Sequence, residues 1–299
     1  MAKLFSRHKE KEDIPSLINT FENQPETACQ SINQWVQEKT QDKIKEIVQP
    51  SLLDPLTRLL LTNAVYFKGK WALPFDEHLT KLSPFRMKTG ISETTEVDVA
   101  MMRTNGWFMY MEHEAFQALE LPYQDGEMSM VILLPREIDG LSDLEASLTD
   151  KNLLSWIRVF QSVDVEVTLP KFRLTSEFSI GGLLRSMGME DAFDPKTADF
   201  SGMTETKDLY ISEILHKAYV DVGEEGTEAA AITGVFAALG EPEVDPPPPK
   251  VFRADHPFFF LIRHIASGTI FFMGRICETV GLVQELPALE TEPTLDVPI

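Results

Sequence analysis

Cysteine is nearly missing from this chain of 299 residues: Cys29 and Cys277 are the only two. They lie far apart and form no CxxC pair, so one disulfide or two buried thiols are the alternatives. Basic charge is short as well, with 27 Lys and Arg against 47 Asp and Glu and a net charge of -20. So acidic a chain repels phosphate backbones, which argues against a nucleic-acid partner. Its one basic cluster, Lys3 to Lys11, is interleaved with acids and reads as a solvated tail. No apolar run approaches the roughly 18 residues that a membrane span needs, so no membrane partner is expected. Met1 to Asp13 holds no apolar signal-peptide core, which taken literally starts the chain in the cytosol. No Asn-x-Ser/Thr sequon occurs.

Catalytic patterns are absent too. Ser186 is followed by Gly188 but preceded by Leu184, so no G-x-S-x-G elbow forms. The string "HEAFQ" (113–117) misses H-E-x-x-H at Gln117 and lies between two apparent strands. Gly69-Lys70 lacks the upstream glycine of a phosphate loop. The six histidines are scattered, and His216 alternates within a strand, where a satisfied core histidine is the default. The reading is of a non-enzyme with no metal and no cofactor.

What is present is patterned. With 43% hydrophobic residues the chain can bury a large core. Apolar positions from Glu26 to Val48 recur at helical spacing and predict one or two helices. "TRLLLTNAVYFKGKW" (57–71) is apolar through Tyr66 and predicts a strand buried on both faces. Residues 83–135 read as successive antiparallel strands, with turns at Asn105-Gly106 and Asp125-Gly126. Leu141 to Phe160 is helical in spacing, "VDVEVTLPKFRL" (163–174) is strand-like with an edge or break at Pro170, and Ile180 to Met187 is a short helix. Asp208 to Val222 alternates as a long strand. Pro246 to Pro249 cannot donate to a ladder and is stiff. "HPFFFLI" (256–262) and "TIFFMGRI" (269–276) are apolar strands joined by a turn at 266–268, and 281–299 is a tail expected to be disordered. One α+β domain from about 21 to 277 is expected.

One stretch resists a local reading. "GEEGTEAAAITG" (223–234) looks like a helix start, with Thr227 as N-cap and Glu228 at the positive end of the dipole. Yet Ile232 to Phe236 are poor helix formers and no apolar helical stripe develops. The flanks decide. "GEEGTEAAA", followed by "FRADHPFFFLIRH" and "TIFFMGRI", resembles the proximal hinge and C-terminal signature of the serpin family of protease inhibitors. "INQWVQEKTQDKI" (32–44), "LTNAVYFKGKW" (61–71), "LPKF" (169–172) and "EILHKAYVDVGEEGTEAAA" (213–231) resemble further blocks of that family in the right order.

The resemblance implies an α+β, serpin-like fold: a multi-sheet core with helices and an exposed reactive-centre loop at about 224–250. It covers about 21–277 and leaves 1–20 as an unmatched polar segment and 278–299 as an acidic, Pro-containing tail. In the family, five helices and several strands precede the helix at 32–44; here about twenty unmatched residues do. The resemblance thus implies that the N-terminal part of the fold is missing and that one face of the main sheet should expose apolar surface.

The implied function is inhibition of a serine-type endopeptidase as a suicide substrate. The protease cleaves the loop while bound to it, and the freed loop enters the central sheet as a new strand. Alternation then places Thr227, Ala229, Ala231 and Thr233 inward and Glu228, Ala230, Ile232 and Gly234 outward, so the one charge faces solvent. Glu224, Glu225, Gly226, Thr227, Glu228, Ala229, Ala230 and Ala231 form the reactive-centre hinge, with Gly226 the residue at which the backbone can turn. Thr227 to Gly240 would span roughly 46 Å as a strand.

By the same resemblance Trp71, Lys171 and Glu224 form the breach at the top of the sheet. Asn63 and His216 belong to the shutter, whose serine partners lie in the missing portion. Counting from Gly226 puts the scissile bond at Gly240–Glu241, but the loop is longer than usual, so Ala238–Leu239 and Leu239–Gly240 stay open. Phe236 to Leu239 points to an elastase- or chymotrypsin-like target, and no Arg or Lys serves a trypsin-like one. A monomer is expected, extracellular by resemblance, with cytoplasmic as the alternative because no signal peptide is seen. The competing readings are a non-inhibitory binding or chaperone-like serpin and a truncated inactive product.

Overall fold

The computed structural model describes residues 3–4, 24–53, 56–89, 93–203, 208–225, 247–279 and 281–284. In chain order its elements begin with β1 (Lys3–Leu4), α1 (Pro25–Lys39), β2 (Leu59–Phe67), β3 (Lys81–Thr89), β4 (Glu93–Glu112), β5 (Phe116–Pro122) and β6 (Met128–Pro135). They continue with α2 (Leu141–Ser147), α3 (Asp150–Arg158), β7 (Gln161–Pro170), β8 (Phe172–Ser179), α4 (Gly181–Ser186) and β9 (Ile211–Val222). β10 (Lys250–Arg253), β11 (Phe258–His264) and β12 (Ile270–Ile276) complete the chain order. The residues divide into two units, 1–68 with 173–221 and 69–172 with 222–299. Among the described residues no helix is long and apolar enough to cross a membrane.

In the first unit, α1 opens with Pro25 in its first turn, beside Glu26, and closes with Lys39, each suited to its end of the helix. Thr40 stops it, returning both its N–H and its hydroxyl to Val36 O at 2.9 and 2.8 Å. Gln41 and Asp42 then take positive φ of 54° and 60°, so the second helix allowed by the 26–48 pattern does not form. Instead Asn33 Oδ1 accepts from Ile47 N and Val48 N at 2.9 and 3.0 Å, holding Ile44, Ile47 and Val48 in the core as an irregular strip.

The four-stranded sheet of this unit runs in the order β1-β2-β9-β8. β2 and β9 are parallel, with Asn63 opposite His216 in mid-ladder. One face packs under α1 through Leu60, Ala64, Leu215 and Tyr219. Lys217, on that face, pairs with Glu177 at 2.7 Å, which by alternation turns Leu61, Asn63, His216 and Phe178 to the other face. There Leu61 is 39% and Phe178 54% exposed. β2 is thus not buried along both faces as its apolar run predicts: only Ala64, Val65 and Phe67 are buried. An apolar run cannot say whether anything covers a face. The exposed apolar surface anticipated for this sheet is on the side away from α1. Phe178→Ser is expected to reduce light scattering on heating while changing stability by no more than about 0.5 kcal/mol, since more than half of the side chain is in solvent.

The second unit holds an eight-stranded mixed sheet of order β10-β7-β4-β5-β6-β11-β12, with β3 paired to β4. β6 and β11 are central and buried throughout, except for the partly exposed His264 at the end of β11. The turn predicted at Asn105-Gly106 is absent: β4 passes straight through, pairing Asn105 with Glu166 and Gly106 with Val165. The end of the Leu73 side chain lies close over the strand at Gly106, 2.5 Å from where a Cβ would stand. Asp125-Gly126 does turn, with Gly126 at φ 70° and its N–H on Tyr123 O at 2.9 Å. α2 and α3 cover Met111, Phe116, Val131 and Leu261. β7 ends at Pro170 and β8 begins at Phe172, the break anticipated at the proline. The tail is ordered further than its composition predicts: Leu282 is buried and bridges to Phe172.

Candidate functional site

β9 ends at Val222, and Gly223 and Glu224, which belong to the second unit, are held by side chains of that same unit. Trp71 is buried, stacked on Tyr123 at 4.6 Å between ring centres and meeting Phe75 edge-on at 6.0 Å. Its indole is fixed in turn by backbone, because Ala72 N donates to Pro122 O and Gln124 N to Lys70 O. So oriented, Trp71 Nε1 donates to Gly223 O at 2.9 Å. A buried indole N–H needs such a partner, and the carbonyl after β9 supplies it.

Glu224, also buried, ion-pairs through Oε2 with Lys171 Nζ and accepts the Thr80 hydroxyl on Oε1 at 2.8 Å. Lys171 is the single residue between β7 and β8. Burial pushes the Glu224 carboxyl pKa up, but the bonds from Lys171, from backbone N–H and from Thr80 outweigh it and hold the pKa below its usual 4.5. The folded pKa is therefore depressed, so the stabilisation is complete above the unfolded value and is lost as pH falls through the folded one. The melting-temperature gap between the native chain and Glu224→Gln should accordingly be full above the usual 4.5 and shrink as pH falls below it, closing once pH has passed through the depressed folded value. A gap constant over that range would mean the carboxylate charge does not hold the clamp.

These contacts bring together the three residues expected at the breach, Trp71, Lys171 and Glu224. Thr80 and the carbonyl of Gly223 were not anticipated. Thr80 lies 144 positions from Glu224, and nothing local in its sequence marks it. Glu225 is exposed. Gly226, Thr227, Glu228, Ala229, Ala230 and Ala231 of the hinge, and Ala238, Leu239, Gly240 and Glu241 around the candidate scissile bonds, lie outside the described residues. Asn63 and His216 face each other across the β2–β9 ladder on the side away from α1, Asn63 exposed and His216 half-buried. Desolvation pushes the His216 pKa down and favours its neutral form. Among the described residues no group of three His, Cys, Asp or Glu side chains gathers as metal ligands.

The arrangement is a clamp on the first residues of a segment that leaves a parallel strand pair. A family model described as Serpin (serine protease inhibitor) matches residues 16–279. The chain belongs to the serpin family. Leukocyte elastase inhibitor A of Rattus norvegicus is 39% identical to this serpin over 263 residues, 86% of this chain and 68% of the relative. Plasminogen activator inhibitor 2 of Homo sapiens is 43% identical over 260 residues, 84% of this chain and 60% of the relative. The crystal structure of uncleaved ovalbumin superposes with a TM-score of 0.74 at 32% identity, covering 86% of this chain and 64% of that one. This serpin thus spans about two thirds of the length of the serpins it matches, and among its curated relatives are serine protease inhibitors.

Proposed function

We propose that the chain inhibits a serine-type endopeptidase as a suicide substrate, its loop entering the sheet between β2 and β9 after cleavage. The observation that carries this reading is the parallel β2–β9 ladder with the clamped segment leaving the end of β9. A chain that folds back after β9 runs antiparallel to β9 and therefore to β2. Inserted between them, it exchanges one parallel ladder for two antiparallel ones, which are the more stable per residue. A dozen added ladder bonds at about 1 kcal/mol each give on the order of 10 kcal/mol, comparable to a domain's whole stability. Thr227, Ala229, Ala231 and Thr233 are small enough to enter a packed sheet, and Pro246 would halt further pairing.

Elastase- and chymotrypsin-like proteases are the proposed targets, from the apolar residues at 236–239 and from the name of the rat relative. The chain is proposed to act as a monomer without cofactor, nucleic acid or membrane. Cys29 and Cys277 are both free thiols, which fits the cytoplasmic alternative better than the extracellular one. Cleavage of the loop by a protease that is not trapped tests insertion by itself. The cleaved chain should melt well above the intact one, and an unchanged or lower melting temperature would oppose loop insertion. A second reading, a non-inhibitory binding serpin, is favoured by the sheet face on which Leu61 and Phe178 are exposed.

A further inference from the structure

The residues after β12 meet the clamp from behind. Gly281, at φ 91°, makes the turn, and Leu282 N donates to Thr279 O at 3.0 Å. Leu282 then pairs with Phe172 as an isolated antiparallel bridge, its side chain buried. Val283 completes a closed ring of three backbone bonds. Lys171 N donates to Ala100 O at 2.8 Å, Ala100 N to Val283 O at 2.7 Å and Val283 N to Lys171 O at 3.0 Å.

Lys171 depends on such a ring. It stands alone between β7 and β8, behind Pro170, so no continuous ladder fixes its backbone. With its N–H on Ala100 and its carbonyl under Val283, its side chain is aimed at Glu224. Ala100 is fully buried, so without Val283 its N–H would lose its partner in a place water does not reach.

We infer that Leu282–Val283 is a positioning strap for the hinge clamp: it fixes the Lys171 backbone so that Nζ stays on Glu224 and the segment after β9 stays closed. Its consequence for inhibition, slower release of the hinge, rests on the proposed function; its action on the clamp does not.

The test is hydrogen exchange in the full chain, read at the amides of 223–225 and at the Trp71 indole, with Leu119 and Val131 as core controls. Val283→Pro deletes the donor to Lys171, whereas Val283→Ala keeps it. Val283→Pro should speed exchange at the hinge about tenfold or more, and Val283→Ala less than about twofold, with the controls unmoved. Ending the chain at Glu278 should match Val283→Pro. In a Lys171→Ala background, Val283→Pro should add nothing. Unchanged hinge exchange in Val283→Pro, equal acceleration at Leu119 and Val131, or a full effect that survives Lys171→Ala would each overturn the inference. No protease enters the experiment, so a failure to inhibit leaves its outcome untouched.

Discussion

Ala231→Arg is expected to turn the chain from a trap into a substrate. If Thr227 enters the sheet, Ala231 enters with it, two alternations further along the same face. An arginine there would have to shed its water inside a packed layer with no partner, at a cost of several kcal/mol. That is a large share of the roughly 10 kcal/mol that the added ladder supplies, and it falls early in insertion, when few new bonds exist. Cleavage, which needs only an exposed loop, should continue. The fraction of protease held in a denaturation-resistant complex should fall about tenfold or more, with cleaved chain accumulating in its place. Ala230→Arg, one residue away on the outward face, should stay within about twofold of the native chain. Equal losses from the two variants would contradict the alternation on which insertion rests.

The second large effect is at the clamp. Lys171→Ala would leave the Glu224 carboxylate buried with the Thr80 hydroxyl and no cation. Breaking a buried pair on one side costs about 3 kcal/mol, because the remaining charge is stranded. For a chain of this size that lowers the melting point by about 6–12 °C. Combining Lys171→Ala with Glu224→Gln removes the stranded charge and should recover much of the loss, so calorimetry on the two single variants and the pair separates charge from packing. A double variant as unstable as the sum of the singles would place the cost in lost packing.

The parts of the fold that could be read from sequence are those where local chemistry and tertiary use agree. Pro170 ends β7 where a break was expected, Gly126 turns, and the apolar runs read at 256–262 and 269–276 form β11 (Phe258–His264) and β12 (Ile270–Ile276). Asn105-Gly106 misled because the same pair that makes a tight turn also suits a strand crossed closely by Leu73. Helical spacing at 41–48 was real in its burial but not in its backbone, which Asn33 and the left-handed Gln41 and Asp42 settle. The site divides the same way. Trp71, Lys171 and Glu224 were accessible through family blocks that carry them in fixed context. Thr80 and Val283 act through a hydroxyl and a backbone group supplied from distant segments, and Gly223 through its carbonyl, and no side-chain pattern announces those.

Trapping of a protease by loop insertion is tested most directly on one denaturing gel. Purified chain would be mixed with leukocyte elastase and, separately, chymotrypsin, and the junction of any surviving complex mapped by mass spectrometry. Loop insertion predicts a complex that outlasts denaturation, joined within residues 238–241. Clean cleavage of the loop with free, active protease would contradict it and leave the chain a substrate.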